Sequence, residues 1–410
     1  MAQIYIGHAL SGNTAGLSSA ALSNSSSFGP LTFQTDGTFQ ISIFEDLHFG
    51  ENAWDQWGPQ QDINSVKVIN EILDKESPGL VVLNGDLITG ENGFLENSTV
   101  YVDQIVEPLV SRGLTWASTY GNHDYDYNIS GEAILEREHL WKNSRTTRMV
   151  LDSNAGVSNY YLPVYDNGCV DSDVCIPELI LWFFDSRGGF LRQVKDTSGN
   201  RIGQPNWVDT SVVKWFRREN ARLRAKYKKV VPSLGFVHIP TYASYALQQA
   251  GVDPNTEPGI NDDLPLAPQA QGWCANGTND GSCSYGAQDT AFMQAVSHTP
   301  GLMALFSGHD HGDTWCYKWD KLLPGMTVTP ANNISICFGQ HTGYGGYGNW
   351  ERGSRQVMVS KQGLANLEAD TWIRLESGTV VGSVSLNSTY SQDLYPKTNN
   401  SMTYCPTCEY

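Results

Sequence analysis

Five short polar motifs in this sequence each follow an apolar run that is typical of a buried β-strand. They supply carboxylates, one amide and imidazoles, and they are Asp46-Leu47-His48, Gly85-Asp86, Gly121-Asn122-His123-Asp124, His238 and Gly308-His309-Asp310-His311. Apolar residues at helical spacing separate the first three motifs, so strand and helix alternate along the chain. This alternation predicts an α/β fold with a largely parallel sheet, whose ligands gather outside the carboxyl ends of the strands.

The rest of the chain divides into three predicted parts. Residues 1–30 are rich in Ser, Ala, Asn and Gly, which is typical of a flexible arm or of a segment left from cloning. Residues 31–390 show no internal repeat and no clean linker, so we expect a single domain there. Four later apolar runs, within residues 334–386, are predicted to form a second sheet. Residues 391–410 form a tail that contains Cys405 and Cys408.

The overall charge restricts the partners of the chain. The formal net charge is −17 over 410 residues, so a nucleic acid would be repelled and is not expected as a stable partner. No apolar run approaches the roughly 18 residues of a membrane span, and no membrane partner is expected.

The cysteines and glycosylation sequons indicate a secreted glycoprotein. The eight cysteines can all pair, and we predict the bridges Cys169–Cys175, Cys274–Cys283, Cys316–Cys337 and Cys405–Cys408. Zinc binding by Cys405 and Cys408 is the alternative for the last pair. Seven Asn-x-Ser/Thr triplets make N-glycans expected, and they begin at Asn24, Asn97, Asn128, Asn276, Asn333, Asn387 and Asn399.

Residues 1–10 do not resemble a signal peptide, because they lack a basic start and a long apolar core. Either a natural leader has been replaced, or the protein is not secreted. We favour replacement of the leader.

The mixture of carboxylate, amide and imidazole ligands predicts a pair of metal ions held side by side. Asp86 is the natural shared ligand, because a carboxylate can offer one oxygen to each ion. The remaining predicted ligands are Asp46, His48, Asn122, His238, His309 and His311. This donor set favours Fe, Zn or Mn over Ca.

Such a metal pair indicates hydrolysis of a phosphoester by a hydroxide that bridges the two ions. His123 directly follows a predicted ligand, so we expect it to protonate the leaving oxygen or to stabilise charge on the phosphoryl group. Asp124 is predicted to orient His123.

The motifs between residues 46 and 311 resemble the signature of the calcineurin-like metallophosphoesterases. The segment from Cys337 to Gly348, with Arg352 and Arg355, is similar to the fungal and plant branch beside the purple acid phosphatases. The resemblance implies a four-layer αββα sandwich of two mixed β-sheets flanked by helices. It also implies His123 as the catalytic acid.

The same resemblance implies how the ligands divide between the metals. One ion would be held by Asp46, His48, Asp86 and His311. The other would be held by Asp86, Asn122, His238 and His309. Purple acid phosphatases place a metal-binding Tyr three residues after the bridging Asp, whereas this chain has Thr89 there. A purple iron centre is therefore not expected, and the metals stay open among Fe, Zn and Mn.

The substrate is predicted to be a small phosphorylated molecule. Candidate contacts are His341, Tyr344 and Tyr347 on a Gly-rich loop, and Arg187. We expect a secreted phosphatase that hydrolyses monoesters. The alternatives are a phosphodiesterase acting on nucleotides or lipid head groups, and a binding module without turnover, against which the complete ligand set argues.

Overall fold

The structure is a computed structural model that describes residues 29–403 and residue 405. Over these residues the chain forms fifteen strands and seven α-helices. The strands are β1 (Leu31–Thr32), β2 (Thr38–Phe44), β3 (Leu80–Asn84), β4 (Trp116–Thr119), β5 (Tyr160–Tyr165), β6 (Leu179–Phe184), β7 (Phe190–Lys195), β8 (Arg201–Gly203), β9 (Ser233–Val237), β10 (Leu302–Ser307), β11 (Cys316–Trp319), β12 (Ile334–Phe338), β13 (Gly353–Ser360), β14 (Ala369–Leu375) and β15 (Val380–Leu386). The helices are α1 (Trp57–Leu73), α2 (Tyr101–Ser111), α3 (Gly131–Glu138), α4 (Thr210–Tyr227), α5 (Tyr242–Ala250), α6 (Thr290–His298) and α7 (Lys361–Leu364).

Thirteen of the strands form two large mixed sheets, and β7 and β8 form a separate two-stranded sheet. The seven-stranded sheet has the order β1-β5-β6-β9-β10-β12-β11, and the six-stranded sheet has the order β15-β14-β13-β2-β3-β4. The prediction that the later strands form a sheet of their own is therefore wrong. β13, β14 and β15 extend the sheet of β2, β3 and β4, whereas β12 pairs with β10 in the other sheet. Strand pairing depends on the tertiary fold, which sequence order does not reveal.

The two sheets pack face to face and carry helices on their outer sides. Apolar residues from both sheets fill the space between them, including Ile41, Val82, Phe183, Phe236 and Phe306. Residues of α4, α5 and α6 cover the outer face of the seven-stranded sheet, and residues of α1, α2 and α3 cover that of the six-stranded sheet. The predicted four-layer αββα sandwich is confirmed.

Strand pairing brings the ends of five strands to one edge of the sandwich. β2 and β3 run parallel with Phe44 opposite Leu83, and β9 and β10 run parallel with Phe236 opposite Phe306. The rings of Phe236 and Phe306 stack with their centroids 5.7 Å apart, which favours this register. The polar motifs that follow β2, β3, β4, β9 and β10 therefore start from neighbouring positions.

Three of the predicted disulfides are present, namely Cys169–Cys175, Cys274–Cys283 and Cys316–Cys337. The last bridge joins residues that lie directly opposite each other on β11 and β12. Cys405 is also disulfide-bonded, which argues against zinc binding in the tail. Its predicted partner Cys408 lies outside the described residues, as does nearly all of the predicted N-terminal arm.

The predicted division at residues 30 and 390 stays a prediction. The described part of the tail contacts the rest of the chain, since the amide of Tyr395 donates to the carbonyl of Asn255 at 2.7 Å. Within the described residues, none of the helices combines the length and the apolar character that a bilayer crossing requires.

Candidate metal centre

Four of the seven predicted metal ligands have a left-handed backbone. Their φ angles are +53° at Asp46, +49° at His48, +49° at Asp86 and +78° at His309. Residues other than glycine rarely adopt this conformation, and it concentrates at functional sites. Asp46, Asp86 and His309 each lie two residues after the last residue of a strand. The same sharp turn thus ends β2, β3 and β10.

The predicted ligands converge in two groups. One contains Asp46, His48 and His311, and the other contains Asp86, His238 and His309, with the ligand atoms of each group within 4.8 Å of one another. The Nε2 atoms of His48 and His311 lie 3.2 Å apart. The Nε2 atom of His238 lies 2.9 Å from Oδ2 of Asp86.

The two groups are adjacent, and both carboxylates lie between them. Oδ2 of Asp86 is 3.9 Å from Nε2 of His48 in the first group. Oδ1 of Asp46 is 3.8 Å from Nε2 of His238 in the second. Asp86 is therefore positioned to offer oxygens to both sides, as a bridging ligand must.

Three of the imidazoles are oriented by partners on their Nδ1 atoms. His48 Nδ1 lies 3.0 Å from the Thr89 hydroxyl, His238 Nδ1 lies 2.9 Å from the Asn84 carbonyl, and His311 Nδ1 lies 2.9 Å from the Tyr347 carbonyl. These contacts leave Nε2 of each ring for a metal, which is the usual arrangement around metal-binding histidines.

Two buried atoms of the predicted metal ligands have no hydrogen-bond partner among the described residues, namely Oδ1 of Asn122 and Nε2 of His238. The 2.9 Å contact between His238 Nε2 and Asp86 lacks the geometry of a hydrogen bond. Buried polar atoms are nearly always paired in folded proteins. A metal ion would supply the missing partner, so the residues fit the predicted pair of ions.

The protonation of His48 and His309 also suits metal binding. Burial and the neighbouring His123 lower the pKa of His48 to about 3. Burial and the neighbouring His238 lower the pKa of His309 to about 4. Both rings are therefore neutral near pH 7, and neutral imidazole is the form that binds a metal.

Gly121, two residues after β4, is required where the chain passes the ligands. A Cβ atom at this position would lie 2.3 Å from Oδ1 of Asp86 and 2.4 Å from Cδ2 of His238. Any side chain here would displace both ligands. The glycine of the Gly-Asn-His-Asp motif thus allows the close approach of backbone and ligands.

His123 lies at the open side of the ligand cluster, where 30% of its side chain is exposed. Its amide donates to Oδ1 of Asp86 at 2.8 Å, and its Nδ1 lies 2.9 Å from Oε1 of Glu91. Asp126 lies 3.9 Å from the same Nδ1 atom. Burial alone would lower the pKa of His123, but the carboxylates of Asp86, Glu91 and Asp126 outweigh it and hold that pKa well above its usual range.

Glu91 and Asp126 are functional candidates that the sequence analysis missed. Glu91 lies in a single 3-10 turn, Gly90–Asn92, and Asp126 directly follows another, His123–Tyr125, so neither directly follows a strand. The one available signal is proximity along the chain, since Glu91 comes five residues after Asp86 and Asp126 three residues after His123.

Asp124 does not orient His123 as predicted. Its Oδ1 accepts hydrogen bonds from the amides of Leu87 and Ile88, at 2.9 and 3.0 Å. Its Oδ2 accepts one from the amide of Gly121 at 2.9 Å. Asp124 therefore fastens the turn after β3 to the turn after β4, and its influence on His123 is through the backbone.

Of the four predicted substrate contacts, Tyr347 is the one that reaches the surface of the site. Its ring stacks on His311 with centroids 4.0 Å apart and planes 9° apart, and 38% of the residue is exposed. Its hydroxyl donates to Oδ2 of Asp263 at 2.6 Å and accepts from the amide of His311 at 2.9 Å.

The other three predicted substrate contacts are buried or bonded to other groups of the protein. His341 is buried, with its ring centroid 3.8 Å from that of His311. The hydroxyl of Tyr344 donates to Glu376 at 2.9 Å. The buried guanidinium of Arg187 donates twice to the carbonyl of Trp207, at 3.0 and 2.6 Å. Their polar side chains suggested substrate contacts, but burial and internal partners cannot be read from the sequence.

Comparisons with known proteins find relatives that match most of this chain. A protein of Arabidopsis thaliana named "Probable inactive purple acid phosphatase 29" is 25% identical over 352 residues, which cover 80% of this chain and 78% of the relative. "Phosphatase DCR2" of Saccharomyces cerevisiae is 26% identical over 352 residues, which cover 83% of this chain and 54% of that protein.

Two solved structures are similar at low sequence identity. A dimetal phosphatase from Danio rerio aligns with a TM-score of 0.46 and 12% identity, over 85% of this chain and 98% of its own. The purple acid phosphatase PPD1 from yellow lupin aligns with a TM-score of 0.44 and 12% identity, over 90% of this chain and 58% of its own.

The profile of the calcineurin-like phosphoesterase family matches residues 43–313. This segment spans more than half of the chain and contains every predicted metal ligand from Asp46 to His311. The chain belongs to the calcineurin-like phosphoesterase family.

Proposed function

We propose that this protein is a secreted phosphatase that uses two metal ions to hydrolyse phosphate monoesters. The observation that supports this most strongly is the convergence of two ligand groups around Asp86, next to two unpartnered buried atoms. Three relatives are named probable inactive purple acid phosphatases. The complete ligand set of this chain supports turnover here.

The proposed ligands divide between two ions that share Asp86. Asp46, His48 and His311 would hold the first ion, and Asn122, His238 and His309 would hold the second. Bound metal ions would supply the Lewis acidity that activates a water nucleophile and neutralises charge on the phosphoryl oxygens. Thr89, Asn84 and the carbonyl of Tyr347 keep three of the imidazoles in the orientation that binding requires.

His123 is the proposed acid that protonates the leaving oxygen. Its contact with Glu91 fixes the ring, and the bond from its amide to Asp86 ties it to the shared ligand. The surrounding carboxylates favour the protonated imidazole, which is the form that a general acid needs. Tyr347 and His123 are the exposed groups beside which the phosphoester would bind.

Disulfides and sequons support secretion. Disulfides persist in oxidising compartments, and Cys405 as well as the three described bridges are oxidised. Asn97, Asn276, Asn333 and Asn399 are exposed and accessible to glycosylation. Asn128 is a poorer acceptor, because its amide donates to the carbonyl of Gly93 at 2.8 Å. Asn24 lies outside the described residues.

The test is a paired assay on protein of known metal content, with p-nitrophenyl phosphate and bis-p-nitrophenyl phosphate across pH 4 to 8. We expect two metal ions per chain and a preference for the monoester. A preference for the diester would replace the proposal with a phosphodiesterase. Absence of turnover with both ions bound would favour a binding module.

A further inference from the structure

We propose that three exposed apolar residues beside the metal centre bind an aromatic ring in the leaving group of the substrate. We call Trp54, Phe94 and Leu95 the apolar rim. This inference rests on the proposed function and specifies the class of substrate. The preferred molecule is a phosphate monoester whose leaving group is aromatic and carries no further phosphate, such as an aryl or nucleoside monophosphate.

The apolar rim is accessible to a ligand. Trp54 is 56% exposed, Phe94 is 40% exposed and Leu95 is 42% exposed. The rings of Trp54 and Phe94 contact each other edge to face, with centroids 6.2 Å apart and planes at 71°. Single exposed apolar residues are ordinary, but large apolar residues from different loops that meet on the surface indicate a binding site.

The two loops of the apolar rim are joined to each other and to the metal ligands. The amide of Ala53 donates to the carbonyl of Asn92 at 3.3 Å. In the first loop, Glu51 accepts a hydrogen bond from the amide of Gly346, which directly precedes Tyr347. In the second loop, the hydroxyl of Thr89 contacts His48.

The apolar rim lies on the side of the proposed leaving group. Glu91 contacts His123, the proposed acid that protonates the leaving oxygen. Phe94 follows Glu91 by three residues, and three residues span at most about 11 Å. We therefore infer that an aromatic group attached to the oxygen beside His123 meets Phe94 and its neighbour Trp54. Packing a further aromatic ring against such a pair stabilises the complex by more than the burial of apolar surface alone.

Charge restricts the occupant further. Residues 49–66 and 86–111, which contain both loops, include no Lys or Arg. Asp55 and Glu96 are exposed next to the apolar rim. Arg201 also approaches this side of the site, but it is paired with Asp126 at 3.5 Å. Additional phosphates on the leaving group would be repelled by the exposed carboxylates, so nucleoside diphosphates and triphosphates are disfavoured.

The test measures binding of phosphonates, which are not hydrolysed, to metal-loaded protein by calorimetry. Phenylphosphonate, hexylphosphonate and methylphosphonate would be compared on the wild type, Trp54→Ala, Phe94→Ala and the control Leu394→Ala. Leu394 is 80% exposed and lies outside both loops.

We expect the wild type and the control to bind phenylphosphonate about 10-fold more tightly than methylphosphonate, and both rim variants to lose this preference. Methylphosphonate affinity and metal content should not change. A wild type that binds the phenyl and methyl compounds equally would overturn the inference. An equally large loss of hexylphosphonate affinity in the variants would overturn the aromatic assignment. Failure of the proposed function would give a different result from failure of this inference. No monoester would be hydrolysed, whereas phosphonate binding would still show whether the apolar rim prefers an aromatic ring.

Discussion

The Nδ1 atom of His123 lies 2.9 Å from Oε1 of Glu91. This contact joins the loop after β3 to the motif after β4, at the open side of the metal ligands. It fixes an imidazole that is not itself one of the grouped ligands around Asp46 and Asp86. In the proposed reaction, this imidazole supplies a proton to the leaving group.

Replacement of His123 tests its proposed role. His123→Ala should keep both metal ions but lose turnover by roughly 10²–10⁴-fold, because the leaving oxygen is no longer protonated. Metal content and kcat would be measured together, with His298→Ala on α6 as the control. Normal rates on a substrate with a poor leaving group would contradict the role of His123.

Glu91 should act through His123. Glu91→Gln keeps the size of the side chain but removes the charge that favours protonated His123. We expect about a 10-fold loss of kcat on an alkyl phosphate. A smaller loss is expected on p-nitrophenyl phosphate, whose leaving group needs little protonation. The same loss on both substrates would indicate that Glu91 has a different role.

Two substitutions should remove metal without touching the exposed surface. Asp86→Ala deletes the shared ligand, and Gly121→Ala places a Cβ atom 2.3 Å from its carboxylate. Both variants should bind fewer than two ions per chain. Gly168→Ala is the matched control, since a Cβ atom there has no described neighbour within 4 Å. Two tightly bound ions in Asp86→Ala would rule out the shared-ligand assignment.

Asp62 should make stability depend on pH. Burial raises the pKa of Asp62 to about 7, although the hydrogen bond from the amide of Gly50 opposes this shift. The folded protein therefore holds the Asp62 proton more tightly than the unfolded chain. The resulting stabilisation is complete below about pH 4 and is lost as the pH rises to 7, on the order of 4 kcal/mol in total.

Asp62→Asn keeps an acceptor for Gly50 but cannot ionise. Urea unfolding of both metal-free proteins between pH 4 and 8 would measure the effect. The free energy of unfolding of the wild type should fall relative to that of the variant as the pH rises. A difference that stays constant across this range would show that Asp62 ionises normally.

The strand ends were predictable because they combine two strong local signals. An apolar run predicts a buried strand, and a polar residue one or two positions after it predicts the sheet edge. Asp46, Asp86, His238 and His309 all have this pattern, and the structure brings them together.

Other features depend on contacts between distant parts of the chain. Glu91 lies in a short 3-10 turn and Asp126 directly after another. Neither segment has a periodic pattern, so their approach to His123 follows only from the folded backbone. Arg187 and Tyr344 have polar side chains that suggested substrate binding, yet their partners are Trp207 and Glu376. The division of strands between the two sheets likewise depends on pairing across hundreds of residues.

The central claim is that two metal ions at the Asp86 cluster make this chain a hydrolase. The most direct measurement is a titration of metal-free protein with Zn²⁺, Mn²⁺ or Fe²⁺, with bound metal and hydrolysis of p-nitrophenyl phosphate recorded at each step. We predict that turnover appears as the second ion binds, and that Asp86→Ala neither retains two ions nor gains activity. Full turnover in the metal-free protein, or none after two ions have bound, would contradict this account.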